Sequence, residues 1–175
     1  MKIKIVLLLL CGIASLNASA HGIGSISLIK EKHWTAFQVG LWPLQLFDQS
    51  TNVYGLNCNL FLTYQNRNVY GLSLAPFNFC GGDVKGVTIG LSSIMEKSHS
   101  GILVSFLSRV SSNYGVQIGV LNRCKVNSGE EDNCGGLQIG LFNDSDAPGL
   151  QIGLLNHNSK AWLKWFPFVN FHFSD

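Results

Sequence analysis

The chain is short of charge. Asp, Glu, Lys and Arg make up 13% of its 175 residues, about half the share of an ordinary soluble domain. Lys2 and Lys4 belong to a leader, which leaves ten basic residues facing ten acidic ones in the rest of the chain. That balance excludes a basic patch for nucleic acid and an acidic tail. Proline is scarce, with four residues, and no amphipathic helix pattern follows the leader. A surface so poor in charge is kept in solution by something else, or part of it does not meet water.

Chemistry is also missing. His21, His33, His99, His157 and His172 are scattered, without an i, i+4 pair or a companion carboxylate; they are expected in turns or on the surface, not as metal ligands. Asp144 and Asp146 stand in "NDSDAP", where a hydrogen-bonded turn outweighs a carboxylate pair. The serines Ser92, Ser93, Ser98, Ser100, Ser111 and Ser112 have no His-Asp context beyond chance. "GLQIG" precedes no helix, so its glycines cannot cradle a phosphate as a P-loop does. The expectation is a protein that is not an enzyme, with no catalytic residue, cofactor or metal.

Glycine and a repeated phrase are what the chain has in abundance. Residues 1–20 come first: two lysines, the apolar run Ile5 to Leu10, then "NASA", a small-x-small ending. This reads as a secretory signal peptide, leaving residues 21–175 as a single domain. Within that domain "GLQIGLFN" (Gly136 to Asn143) is followed by "GLQIGLLN" (Gly149 to Asn156). Looser copies begin "YGLNCNLFL", "YGLSLAPFN", "KGVTIGLSS", "SGILVSFLS" and "YGVQIGVLN". Seven copies are led by Gly55, Gly71, Gly86, Gly101, Gly115, Gly136 and Gly149, at spacings of 16, 15, 15, 14, 21 and 13 residues. A near-constant period marks a repeat architecture.

Within each copy apolar residues alternate with period two, as Leu137, Ile139 and Leu141 against Gly136, Gln138 and Gly140. That is a strand signature, and turn residues ("QNRN", "CGGD", "SSN", "NDSDAP") separate the copies. The protein is expected to be all-β. Length then bears on parallel or antiparallel pairing. An eight-residue strand spans roughly 25 Å, and the five residues between Asn143 and Gly149 reach roughly 17 Å, too short to bring the chain back to a parallel start. This predicts an antiparallel up-and-down meander of about 9–10 strands built from ~15-residue repeats. The flanking segments "WTAFQVGLWPLQLF" (Trp34 to Phe47) and "WFPFVNFHF" (Trp165 to Phe173), each broken by a proline, are expected to meet and close it as a barrel.

The run from Phe37 to Leu74, "FQVGLWPLQLFDQSTNVYGLNCNLFLTYQNRNVYGLSL", with "GVQIGV", "GLQIGLFN", "GLQIGLLN" and the tail "FPFVNFHF", resembles the bacterial surface-repeat proteins best known from leptospiral genomes. Those look like strings of G-L-Q-I-G-L-x-N units behind an export signal. The resemblance covers Phe37 to Phe173 and implies a cell-surface or envelope location, with no activity attached. This chain departs from the pattern in "GILVSFLS", which lacks the Gln and the second Gly, and in the insert between Asn122 and Gly135.

Two orientations of the faces stand open. In one, the aliphatic stripe meets lipid and the small polar face lines a narrow lumen, with Tyr54, Tyr70, Tyr114, Trp34, Trp42, Trp162 and Trp165 near strand ends as in an interfacial girdle. In the other, a soluble exported barrel holds Leu-Ile-Leu inside; three aliphatic residues cover only about 13 Å, short of the ~25 Å apolar band of a spanning barrel. The functional expectation is a non-enzymatic exported envelope or surface protein, outer-membrane-associated, structural or adhesive, with membrane lipid as partner. Its alternative is a small soluble or membrane barrel, periplasmic or secreted, that carries a lipophilic ligand or forms a narrow channel. Protein and host partners are not legible. The insert "RCKVNSGEEDNC" is expected to project from a rim, tied by a disulfide between Cys124 and Cys134.

Overall fold

The computed structural model describes residues 26–29, 33–41, 44–65, 67–125 and 136–173. The signal segment, Trp42 and most of the insert, with Cys134, lie outside these. Among the described residues twelve strands form one sheet system: β1 (Ile26–Ile29), β2 (Trp34–Leu41), β3 (Leu44–Phe47), β4 (Asn52–Asn59), β5 (Leu62–Gln65), β6 (Val69–Leu74), β7 (Phe77–Cys80), β8 (Val84–Asn113), β9 (Val116–Cys124), β10 (Gly136–Ser145), β11 (Gly149–Asn158) and β12 (Trp165–His172).

Successive repeats pair in parallel. Val53 faces Val69 and Val69 faces Val84; Gln117 faces Gln138, which faces Gln151. Strand β8 runs through two coils, so its Gly101 lies against its own Gly86. The architecture is a mostly parallel β-solenoid of about seven turns. Only the ends run antiparallel, where β2 meets β3 and β12 caps β11.

This overturns the antiparallel barrel, and the reason lies inside the phrase. The distance argument treats each copy as one straight strand. In β10 the inward and outward alternation instead changes phase: Gln138 is buried, Ile139, Leu141 and Phe142 are exposed, and Asn143 and Ser145 are buried again. Two neighbours, Leu141 and Phe142, point out together because the chain turns a corner there. Residues after the corner are the return path, so no further residues are needed to travel back. Each coil has a long wall before the corner and a short wall after it. The proline-broken ends do not meet: β2 pairs with β3 and β4, and β12 with β11, at opposite ends of the stack.

Stacking at the spacing of a parallel sheet explains the leading glycines. A Cβ on Gly71, Gly86 or Gly101 would overlap the carbonyl oxygen of the glycine one coil before, and all three have φ between +132° and +135°. Neither the space nor the backbone admits a side chain. Outside this column the edges are protected differently. Pro167 interrupts the terminal strand, and Phe168 takes a positive φ of 66°, which suits an edge that should not template further pairing.

Candidate functional site

The interior is where the repeat spends its polar residues. The column Gln38, Asn57, Ser73, Thr88, Leu103, Gln117, Gln138, Gln151 and Asn170 is buried throughout. A second buried column holds Thr63, Asn78, Ser93, Ser108, Asn122, Asn143 and Asn156. In the last coils both become amide ladders. Gln151 Nε2 donates to Gln138 Oε1 at 2.8 Å, and Gln138 Nε2 to Gln117 Oε1 at 2.9 Å. Asn122 Nδ2 donates to Asn143 Oδ1 at 2.9 Å, and Asn143 Nδ2 to Asn156 Oδ1 at 2.8 Å.

Two glutamines span the space between the walls. Gln151 Nε2 also reaches the carbonyl of His157 across its own coil at 2.9 Å, and Gln38 both donates to and accepts from the backbone of Phe47 at 2.9 Å. The asparagines bond the backbone near each corner, Asn122 to Ile139 O and Asn143 to Ile152 O. Buried amides require such partners, and the register supplies most of them; Gln151 Oε1, past the last rung, has none among the described residues.

The outside is correspondingly apolar. Val39, Ile89, Ile102, Val104, Ile118, Ile139 and Ile152 are exposed on the long wall, with Leu41, Leu60, Leu91, Phe106, Leu141 and Leu154 along its corner. No Asp, Glu or Arg interrupts these columns. The reading that put Leu-Ile-Leu inside therefore fails: glutamine is inside and isoleucine outside. At about 4.8 Å per coil and 3.3 Å per residue the wall measures about 700 Å² in projection, above the largest patch usual on a monomer, roughly 300–600 Å². Tyr54 and Tyr70 stack at 5.0 Å along its other margin, with Lys85 Nζ 5.7 Å from the Tyr70 ring.

The short wall differs. Outside it, in register on successive coils, stand Arg109, Arg123, Asp144 and His157. Asp144 Oδ2 accepts from Arg123 Nε at 2.9 Å, and His157 Nδ1 lies 2.8 Å from its other oxygen. The Trp165 ring lies 4.4 Å from the His157 ring, tilted by 38°. Burial works against the Asp144 charge, but the His157 and Arg123 hydrogen bonds outweigh it and hold its carboxyl below the usual value. Asp146 faces Lys125 at 3.8 Å.

Several expectations about side chains change accordingly. Asp144 is a strand residue held by Arg123 and His157 instead of a turn cap. His157 does have a companion carboxylate, and His99 is fully buried, not on the surface; burial lowers its pKa, partly opposed by Asn113. His33 and His172 lie near the ends. Sequence reading missed the Arg123, Asp144 and His157 cluster, although each directly follows the asparagine of its repeat. Of the proposed disulfide pair, Cys124 is buried, its sulfur 3.9 Å from Ser111 O; Cys134 lies outside the described residues. Buried Cys80 has its thiol pushed up to about 12, chiefly by burial. Among the described residues no three His, Cys, Asp or Glu side chains gather as a metal site requires.

Fold and surface together define the class: a parallel β-solenoid with a polar interior and an apolar outer wall. Comparison with protein-family models, curated proteins and solved structures returns no match.

Proposed function

We propose that the protein is a non-enzymatic, exported envelope-surface protein whose long wall lies against lipid, in a structural or adhesive role. One observation carries this reading: a parallel sheet with its outer face bare and aliphatic. Parallel sheets occur almost only with both faces covered. Here the inner face is covered by the short wall and the outer face by none of the described residues. The near absence of charge on that face favours an acyl surface over water.

A structural role is favoured over a channel because glutamine and asparagine side chains fill the interior between the walls. The test is flotation of the purified chain with phospholipid vesicles. The expected result is co-flotation that survives high salt and is lost when Ile118 and Ile139 are both changed to Glu. A chain that stays monomeric without detergent and sediments away from vesicles would contradict the proposal.

A further inference from the structure

The short wall carries a feature that lipid contact through the long wall does not use. Two columns run side by side on its outer face. One is apolar, with Leu107, Leu121, Phe142 and Leu155 on successive coils. The other is the ionic column that begins at Arg109. Together they line an open groove of about 860 Å³, with Trp165 at one end, within the size range of small-molecule sites, roughly 300–1,000 Å³.

Charge is unevenly matched along this groove. Asp144 is engaged by both Arg123 and His157, and Asp146 by Lys125. Arg109 stands in register with Arg123, is exposed, and has no ion-pair partner among the described residues. The strands that carry the two arginines lie about 4.8 Å apart, so an anion between the side chains would meet the unpaired Arg109 and share Arg123 with Asp144. A planar fork of donors on each matches a carboxylate or a phosphate. Beside this cationic end the floor is apolar for four coils, about 14 Å from Leu107 to Leu155.

We propose that the groove binds a single-chain anionic amphiphile. Its acid headgroup lies across Arg109 and Arg123, and its chain runs over Leu121 and Phe142 toward Trp165. A peptide fits less well, because the backbone groups of these central strands are paired within the sheet and leave no edge for a strand to add to. The site does not depend on the long wall meeting lipid, since its ligand is a dissolved monomer.

The test is isothermal titration of the full chain with palmitate, lysophosphatidic acid and lysophosphatidylcholine, each below its micelle concentration. The anionic probes should bind one per chain, and their relative affinities assign a carboxylate or a phosphate headgroup. Lysophosphatidylcholine should bind at least about tenfold more weakly, as should the anionic probes to Arg109→Gln, the scale of one lost charged hydrogen-bond pair. Arg109→Lys should retain part of the affinity, and Ile118→Glu on the long wall should leave it unchanged. Equal binding by wild type and Arg109→Gln, or equal affinity for the zwitterionic probe, would overturn the proposal; so would loss of binding in Ile118→Glu alone.

Discussion

The first coils and the last coils of the stack are built on different interiors. Val53, Val69, Val84, Met95, Leu103 and Val110 form a buried apolar cluster in the first. In the last, the Val110 column continues through Cys124, Ser145 and Asn158, and the neighbouring polar columns close into the ladders of Gln117, Gln138 and Gln151 beside Asn122, Asn143 and Asn156. The sequences differ in the same sense. Copies over the apolar cluster read "GLNCNL", "GLSLAP", "GVTIGL" and "GILVSF"; copies over the ladders read "GVQIGV", "GLQIGL" and "GLQIGL". Dispersion contacts are non-directional, so valine, leucine and methionine can exchange places in a core. An amide ladder is directional, and each rung needs a rung of the same length above and below it. Repetition is tightest where the interior is polar.

That contrast can be broken at several strengths, beginning with what both halves share. Gly86→Val puts a branched side chain into the Gly71 carbonyl at φ +134°. It should cost more than about 3 kcal/mol, from strain and overlap together, and leave no folded fraction by circular dichroism at room temperature.

Next comes the ladder itself. Gln138 donates to Gln117, at 2.9 Å, and accepts from Gln151, at 2.8 Å. Gln138→Leu orphans Gln117 Oε1 and leaves Gln151 Nε2 with the His157 carbonyl alone, and should lower stability by about 1–3 kcal/mol in denaturant unfolding, the cost of an orphaned buried group. The equivalent position in the first half should behave oppositely. Thr88 Oγ1 is buried with no hydrogen-bond partner among the described residues, so Thr88→Val should be neutral or stabilising by up to about 1 kcal/mol. Equal losses at the two sites would erase the distinction.

Acid should act on both halves through different groups. The pKa of His99 is depressed below its unfolded value of 6.5, mainly by burial. The unfolded chain therefore binds the extra proton first, and stability should begin to fall as pH drops through 6.5, levelling below the folded pKa. Asp144 is depressed below 3.8, so its contribution is complete above that value and is lost as pH falls further. His99→Gln should remove the first loss of stability and Asp144→Asn the second, each on the order of 1 kcal/mol by thermal melts across pH.

The sequence made the strands, the alternation and the glycine period plain, because these follow from local pattern. It hid the pairing direction, because the corner between Leu141 and Phe142 is marked only by Gly140 just before it, a residue equally at home inside a strand of this repeat, and by two adjacent apolar residues. Once that corner is missed, eight residues look like one strand and the return path looks too short. The ionic column was hidden for the same reason. Arg123, Asp144 and His157 follow "LN", "FN" and "LN" in three copies, and a parallel stack brings them together while an antiparallel one does not. The polar interior was half legible: alternation separates the two faces but does not say which one is covered.

The smallest effect expected in water comes from the long wall. Ile118→Thr exposes little that was hidden and should shift stability by less than about 0.5 kcal/mol, while weakening vesicle flotation. The most direct measurement of the account is a nitroxide scan of positions 137 to 141 in the vesicle-bound chain, with native cysteines replaced. Labels at Leu137, Ile139 and Leu141 should collide freely with dissolved oxygen and poorly with a water-soluble nickel chelate, as lipid-facing sites do. Labels at Gln138 and Gly140 should be inaccessible to both or prevent folding. Access of the chelate to position 139 on vesicles, with position 138 facing lipid, would contradict the inside-out solenoid.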